Sequence, residues 1–201
     1  MATCESIIKK DIIPNCADPL NKGVERRGVI MNRSDIDFGA VLFSEVSPNI
    51  LESLPLKSGK RAFEIVQPGA TPFNGVKSTI EPGAYRSTTT HEVPIIILDQ
   101  GPETAEMVDN IANGEYVIIL ENKFKGIKAT SNPGAAAFQV YGFHQGLYLA
   151  TGDSDKYSSD TLSGWALTLK ETEAPKSAMY LFKTSYSATQ TLIDTLKAGG
   201  E

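Results

Sequence analysis

The dominant pattern in this chain is period-two alternation of apolar and polar residues, interrupted by glycine and proline. From Phe138 to Lys183 it reads strand, turn, strand, turn, strand, as FQVYGFHQGLYLATGD, SGWALTLKE and AMYLFK. Trp165, Leu167 and Leu169 share one strand face there and are expected in the core. Upstream, GVIMN and DIDFGAVLF are two short strand candidates separated by the turn-like Arg33-Ser34. In the first, Val29 and Met31 face one way while Ile30 and Asn32 face the other. Arg61 to Gln67 also alternates, with Phe63 and Ile65 on one face and Ala62, Glu64 and Val66 on the other. Glu92 to Asp99 has a VPIIIL centre; Pro94 cannot donate to a ladder, so it belongs at an edge or near the strand start. Tyr116 to Asn122, YVIILEN, is apolar on both faces, the pattern of a covered central strand.

Two helices stand out. The spacing predicts one over 102–113, with Pro102 at its first position and Glu103 and Glu106 complementing the dipole. Ala105, Val108, Ile111 and Ala112 form its apolar face, and Gly114 is its stop. A second is expected over 188–198, opened by a capping box of Ser187 and Gln190 and ended by Gly199 and Gly200. Ala188, Leu192 and Leu196 make its stripe, with Ile193 beside them. A short helix could also run from Thr3 to Lys10, with Cys4, Ile7 and Ile8 on one face, before Pro14 and Pro19 force an extended path. Ser47 to Lys60 reads as loop, with room for a helical turn at Asn49–Leu54.

Two long loops are expected, at about 67–90 and 123–137. Structureless loops beyond about 15 residues are uncommon in compact domains and usually have a role. The first carries Phe73 and Tyr85, so it either folds back on its own domain or serves as an arm that docks on a neighbouring subunit. The second carries Lys123, Lys125 and Lys128, a solvated hairpin face or a surface for an acidic partner. These elements give an α+β, β-dominated fold with a flanking helix and a short C-terminal helix, in one domain over 1–201.

Composition narrows the class. A hydrophobic share of 41% supplies a core, and a charged share of 21% is too low and too mixed for a disordered chain. The formal net charge of −5 argues against a surface that grips nucleic-acid phosphates. No apolar run approaches the roughly 20 residues of a membrane span, and the N-terminus lacks a secretory signal pattern, so synthesis and folding in a cytoplasm are expected.

Chemistry-bearing residues are sparse: two histidines, two cysteines and one tryptophan. Cys4 and Cys16 read as reduced thiols, with a disulfide or a shared metal as alternatives; zinc would need two further ligands, and no nearby His supplies them. Asp153, Asp155 and Asp160 in DSDKYSSD loosely suggest calcium, but the central Gly and terminal Glu of an EF loop are missing, which leaves a solvated turn. His91 precedes Glu92 at a predicted strand start, and His144 follows Phe143. A nucleophile, base and orienter can converge from distant positions, yet no GxSxG elbow or cysteine signature points to one. SGKR at 58–61 lacks Walker spacing and no GxGxxG is present. No catalytic, cofactor-binding or metal-ligating residue is assigned, and a chain that acts without enzymatic activity or cofactor is expected.

The block ATCESIIKKDIIPNCADPLNKGVERRGVIMNRSDIDF combined with GLYLATGDSDKYSSDTLSGWALTLKETEAPKSAMYLF resembles small virion structural proteins of tailed phages of Bacteroidetes hosts, crAss-like phages included. It is most similar to tail ring or tail-tube-type subunits. The resemblance implies a tail-tube-like domain, a β-sandwich or partly open barrel, that closes with copies of itself into a ring, beside neighbouring tail or portal-proximal proteins. It implies location in the virion tail after synthesis in the host cytoplasm, DNA in transit without specific binding, and no membrane. On that reading Phe73, Tyr85, Pro94, Lys123, Lys125 and Lys128 are candidate subunit-interface residues. Asp153, Asp155 and Asp160 are candidates to face the lumen, where negative charge repels phosphates. A capsid decoration protein or host-glycan-binding module is the alternative, and a virion-associated peptidoglycan hydrolase a third class.

Overall fold

The computed structural model describes residues 11–13, 16–129 and 132–199. In chain order the strands are β1 (Val24–Asn32), β2 (Leu42–Phe43), β3 (Ile50–Ser53), β4 (Phe63–Val66), β5 (Lys77–Glu81), β6 (Thr88–Ile97), β7 (Tyr116–Asn122), β8 (Phe138–Tyr141), β9 (Tyr148–Asp153), β10 (Trp165–Ala174) and β11 (Met179–Leu181). Helix α1 (Pro102–Ala112) lies between β6 and β7, and α2 (Tyr186–Ala198) follows β11. A seven-stranded sheet runs β2-β3-β11-β8-β7-β1-β4, and a four-stranded sheet runs β5-β6-β10-β9. The larger sheet is mixed, because β3 and β11 pair parallel. The fold is thus α+β and β-dominated, a sandwich-like pair of sheets with no closed barrel among the described residues.

The sequence of β7 explains the layering. Its side chains alternate between two cores, and both are filled. Val117 and Ile119 join Val29, Met31, Leu51, Leu181 and, from α2, Ile193 and Leu196. Ile118 and Leu120 join Val93, Ile95, Leu169 and Phe73 between the two sheets. The larger sheet is therefore covered on one face by α2 and on the other by the smaller sheet. Each fully buried aliphatic side chain contributes about 1.5–3 kcal/mol of transfer free energy, so a strand buried on both faces anchors both layers.

Several expectations are corrected. Asn49–Leu54 is not a helical turn: Ile50–Ser53 is strand β3, drawn out by its parallel pairing with Tyr180 and Leu181 and by the burial of Leu51. DIDFGAVLF yields only Leu42–Phe43 as strand, plus a bridge from Ile36 to Leu56. The block from 138 to 183 holds four strands, not three: β8 and β11 lie in the larger sheet, and β9 and β10 between them lie in the smaller. Trp165 is half-buried at the start of β10, whereas Leu167 and Leu169 are buried. Phe63 is exposed, and only Ile65 of its face packs on the inter-sheet core. Helix α1 buries Thr104 and Val108 with Ile111 beside them, while Ala105 and Ala112 stay exposed. The Thr104 hydroxyl donates to Asp99 Oδ2 at 2.6 Å, which fixes that rotation. Helix α2 is capped by Ser185, whose hydroxyl accepts the Ala188 N–H; Gln190 instead donates to the Tyr186 hydroxyl. Of its expected stripe, Leu196 and the adjacent Ile193 are buried and Leu192 packs partly on the core, while Thr189 rather than Ala188 is the buried residue of the first turn. The candidate helix at Thr3–Lys10, with Cys4, lies outside the described residues, and Cys16 is an exposed free thiol.

The expected 67–90 loop folds back on its own chain. Part of it forms β5, which pairs with β6 as a hairpin, and Phe73 is buried between the sheets. Tyr85, at the hairpin tip, is fully exposed. Pro94 lies well inside β6, opposite Thr168 of β10. The Ile96 N–H donates to the Gln67 side chain, so alternate residues of β6 point their backbone groups away from β10. Pro94 shares that parity, and its missing N–H removes no bond to β10. Beyond the end of β5, the Gln67 amide takes the place of a partner strand, accepting from Ile96 N and donating to Ile96 O, each at 2.9 Å.

Phe73 and Tyr85 should therefore separate cleanly. Phe73→Ala is expected to lower unfolding free energy by about 3–5 kcal/mol through the cavity it opens. Tyr85→Ala should leave it within about 0.5 kcal/mol. Urea denaturation followed by fluorescence compares the two.

Candidate functional site

The one place where the described residues bring hydroxyl, imidazole and carboxylate together lies under the smaller sheet. His91 of β6 stands directly opposite Glu171 of β10 on one side and Ser78 of β5 on the other. His91 is 0% exposed and Glu171 1%. Burying a carboxylate requires hydrogen bonds to compensate it. Glu171 Oε2 accepts from Gly142 N at 3.0 Å and Oε1 from Gln145 N at 2.7 Å. Both amides belong to the turn that carries the chain from β8 in one sheet to β9 in the other. Gly142 has φ +82°, and a Cβ there would sit 2.4 Å from the Tyr116 carbonyl oxygen, so only glycine fits.

The Nδ1 of His91 lies 2.7 Å from Ser78 Oγ. Its Nε2 lies 3.9 Å from Glu171 Oε2 and makes no hydrogen bond. The Tyr141 ring meets the imidazole edge-on at 5.9 Å. His144, in the same crossover turn, also has a buried Nε2 without a partner, and Arg33 donates to its carbonyl at 2.7 Å. Burial holds both imidazoles below their ordinary value; the Glu171 charge opposes this, and for His91 so does the nearby Lys176 backbone. For His144 the nearby positive charge of Lys176, His91 and Arg33 adds to the lowering. The arrangement is a neutral base beside a hydroxyl, backed by a fixed carboxylate.

Of this cluster, sequence reasoning singled out only the two histidines. It missed Ser78 and Glu171. The signal for Ser78 was the alternation of KSTIE ahead of a Pro-Gly turn, which marks a strand that pairs with TTTHE. His91 sits inside β6, not at its start.

The other candidate residues do not converge. Phe73 is buried in its own core, and Pro94 is half-buried beneath Gly75. Lys125 is half-buried and pairs with Glu121 and, at 3.4 Å, with Glu25. Lys123 and Lys128 are exposed, Lys128 reaching the Ala17 carbonyl at 3.4 Å. Asp153, Asp155 and Asp160 are all exposed at the β9–β10 connection, where Asp155 accepts from Tyr157 N at 2.9 Å. No group of three metal-ligating side chains occurs among the described residues. Two cavities flank β1, of about 180 and 420 Å³, both lined by mixed charges: Glu64, Glu121 and Lys197 in one, Glu25, Arg26 and Lys123 in the other.

A second feature is distributed. Each sheet ends on both sides in an exposed edge: β2 and β4 in the larger, β5 and β9 in the smaller. Large apolar side chains are exposed on all four, namely Leu42 and Phe43, Phe63 and Val66, Ile80, and Tyr148. No helix of the described residues is long and apolar enough to cross a membrane. Comparisons with protein-family models, curated proteins and solved structures return no match.

The imidazoles predict a pH dependence. The unfolded chain takes up protons at the ordinary histidine value of 6.5, while the fold resists them. Stability is therefore full above pH 6.5 and falls as pH drops below it. Urea midpoints at pH 7.5 and 5.0 should show this loss, and His91→Asn should reduce it; an unchanged loss would assign the effect elsewhere. Glu171→Ala strands two buried amides and is expected to lower stability by about 3 kcal/mol in the same assay.

Proposed function

We propose that this chain is a non-enzymatic structural subunit that joins copies of itself edge to edge into a ring in a phage tail, through which DNA passes. The observation that carries this reading is the set of open edges at β4, β5 and β9. Soluble monomers blunt sheet edges with proline, inward-pointing charge or very short strands. Here β4, β5 and β9 contain no proline, and β4 and β5 carry an outward Phe63, Val66 or Ile80 beside their unpaired backbone groups. Opposite ends of one sheet differ in sequence, so joining them is heterologous, and heterologous contacts close into rings when the rotation permits. The resemblance to tail ring and tail-tube-type subunits agrees with that geometry.

In this reading the β5–β6 hairpin, with Tyr85 at its tip, is the arm that reaches a neighbour. Phe73 and Lys125 serve their own subunit. Lys123 and Lys128 remain as exposed contacts at the other loop, and Asp153, Asp155 and Asp160 line the lumen from the β9–β10 connection. Neighbouring tail or portal-proximal proteins would stack on the ring.

Light scattering after size exclusion, backed by negative-stain imaging, tests the proposal. A closed oligomer of about six or twelve copies is expected. Ile80→Lys and Val66→Lys should shift it toward monomer while changing unfolding free energy by less than about 0.5 kcal/mol. A protein that stays monomeric both alone and with particle lysate would overturn it. Neutralising the three aspartates should impair DNA delivery and leave ring mass unchanged.

A further inference from the structure

We infer that Ser78 is a reactive serine, a site at which the chain takes up an acyl or phosphonyl group from an activated donor. The inference goes beyond the assembly reading and does not depend on it; it concerns chains whose β5 edge no neighbour covers.

Four observations carry it. First, Ser78 Oγ and His91 Nδ1 are 2.7 Å apart, within reach of proton transfer. Their pairing explains this closeness. Backbone groups of the even-numbered β6 residues face β5, so Ser78 and His91 form a non-hydrogen-bonded pair, the kind whose side chains approach most nearly. Second, the imidazole is fully buried and burial favours its neutral form; in the tautomer with the ring proton on Nε2, beside Glu171, the lone pair of Nδ1 is directed at one hydroxyl. Third, the opposite ring nitrogen faces Glu171 Oε2 at 3.9 Å, so positive charge developing on the ring meets a carboxylate. That carboxylate is held in place by the Gly142 and Gln145 amides. The remaining groups around the ring are the Tyr141 edge from β8, His144 from the crossover turn, Arg33 next to β1, and Lys176 between β10 and β11. Fourth, Ser78 is exposed while the rest of the relay is not. It lies on an open edge, and its own N–H, pointing off the sheet, is available to an oxyanion.

The step balances without a further reactant. Ser78 Oγ bonds to the electrophilic carbon or phosphorus, the bond to the leaving group breaks, and the Oγ proton passes to His91 Nδ1. Glu171 stabilises the imidazolium until it gives the proton to the leaving group or to water. Neither of the two cavities beside β1 reaches Ser78. The reaction stops at the covalent adduct, a modification rather than a turnover.

The probe is a fluorophosphonate, read by intact mass and peptide mapping on the full chain. One adduct is expected, on Ser78, with fluoride released. Ser78→Ala should carry none, and this change on an exposed strand leaves the fold intact. His91→Asn should slow labelling by about 100-fold or more, the usual scale of base assistance. The labelling rate should still be level at pH 6.5 and fall only in more acidic solution, because burial holds the imidazole below its ordinary value. Because His91→Asn also perturbs a buried position, Ser78→Cys supplies an independent reading: its introduced thiol should be alkylated by iodoacetamide faster than Cys16. No adduct, labelling spread over several serines, an adduct that survives Ser78→Ala, or an introduced thiol no faster than Cys16 would each overturn the inference.

Discussion

The constraint on which this molecule depends is the crossing of the chain between its two sheets. Strands β8 and β9 are neighbours in sequence but belong to different layers, so the turn between them must bury backbone amides where no ladder can pair them. Glu171 supplies the missing acceptors from the middle of β10. One carboxylate thus sets the spacing of the layers at this end. The turn it holds requires a glycine at 142 and carries Phe143 into the core against Phe38 and Phe43, and His91 faces the same carboxylate from the opposite strand. The polar cluster and the sandwich are consequences of the same crossing.

Much of the fold was legible because its signals are local. The apolar run of β7 announced a strand covered on both faces, and Pro102 with the acidic first turn announced α1. What escaped depended on partners distant in the chain. Strand β3 is four residues long and takes its conformation from β11, so Ile50–Ser53 alone cannot choose between turn and strand. The rotation of α1 follows a hydrogen bond from Thr104 to Asp99, which an apolar stripe does not encode. The candidate site was the least legible part. Ser78, His91 and Glu171 meet only through the register of two antiparallel ladders, and a single residue of slip would send each side chain to the other face.

The assembly reading and the reactive serine rest on different physics. The first depends on backbone groups and apolar side chains left open at sheet edges, the second on a proton shared across a hairpin. They touch at β5, which is both an open edge and the strand that presents Ser78.

The side-chain amide of Gln67 has one more consequence. It occupies the flank of β6 at Ile96, just where β5 has ended. A strand arriving beside the smaller sheet therefore finds that flank closed and must align with β5 alone. At about 3.4 Å per residue, the span from Lys77 to Glu81 leaves a landing strip of only some 17 Å. So short a strip acts as a ruler, fixing how far an incoming neighbour is staggered along the strand axis and, through that stagger, the tilt at which copies would follow one another.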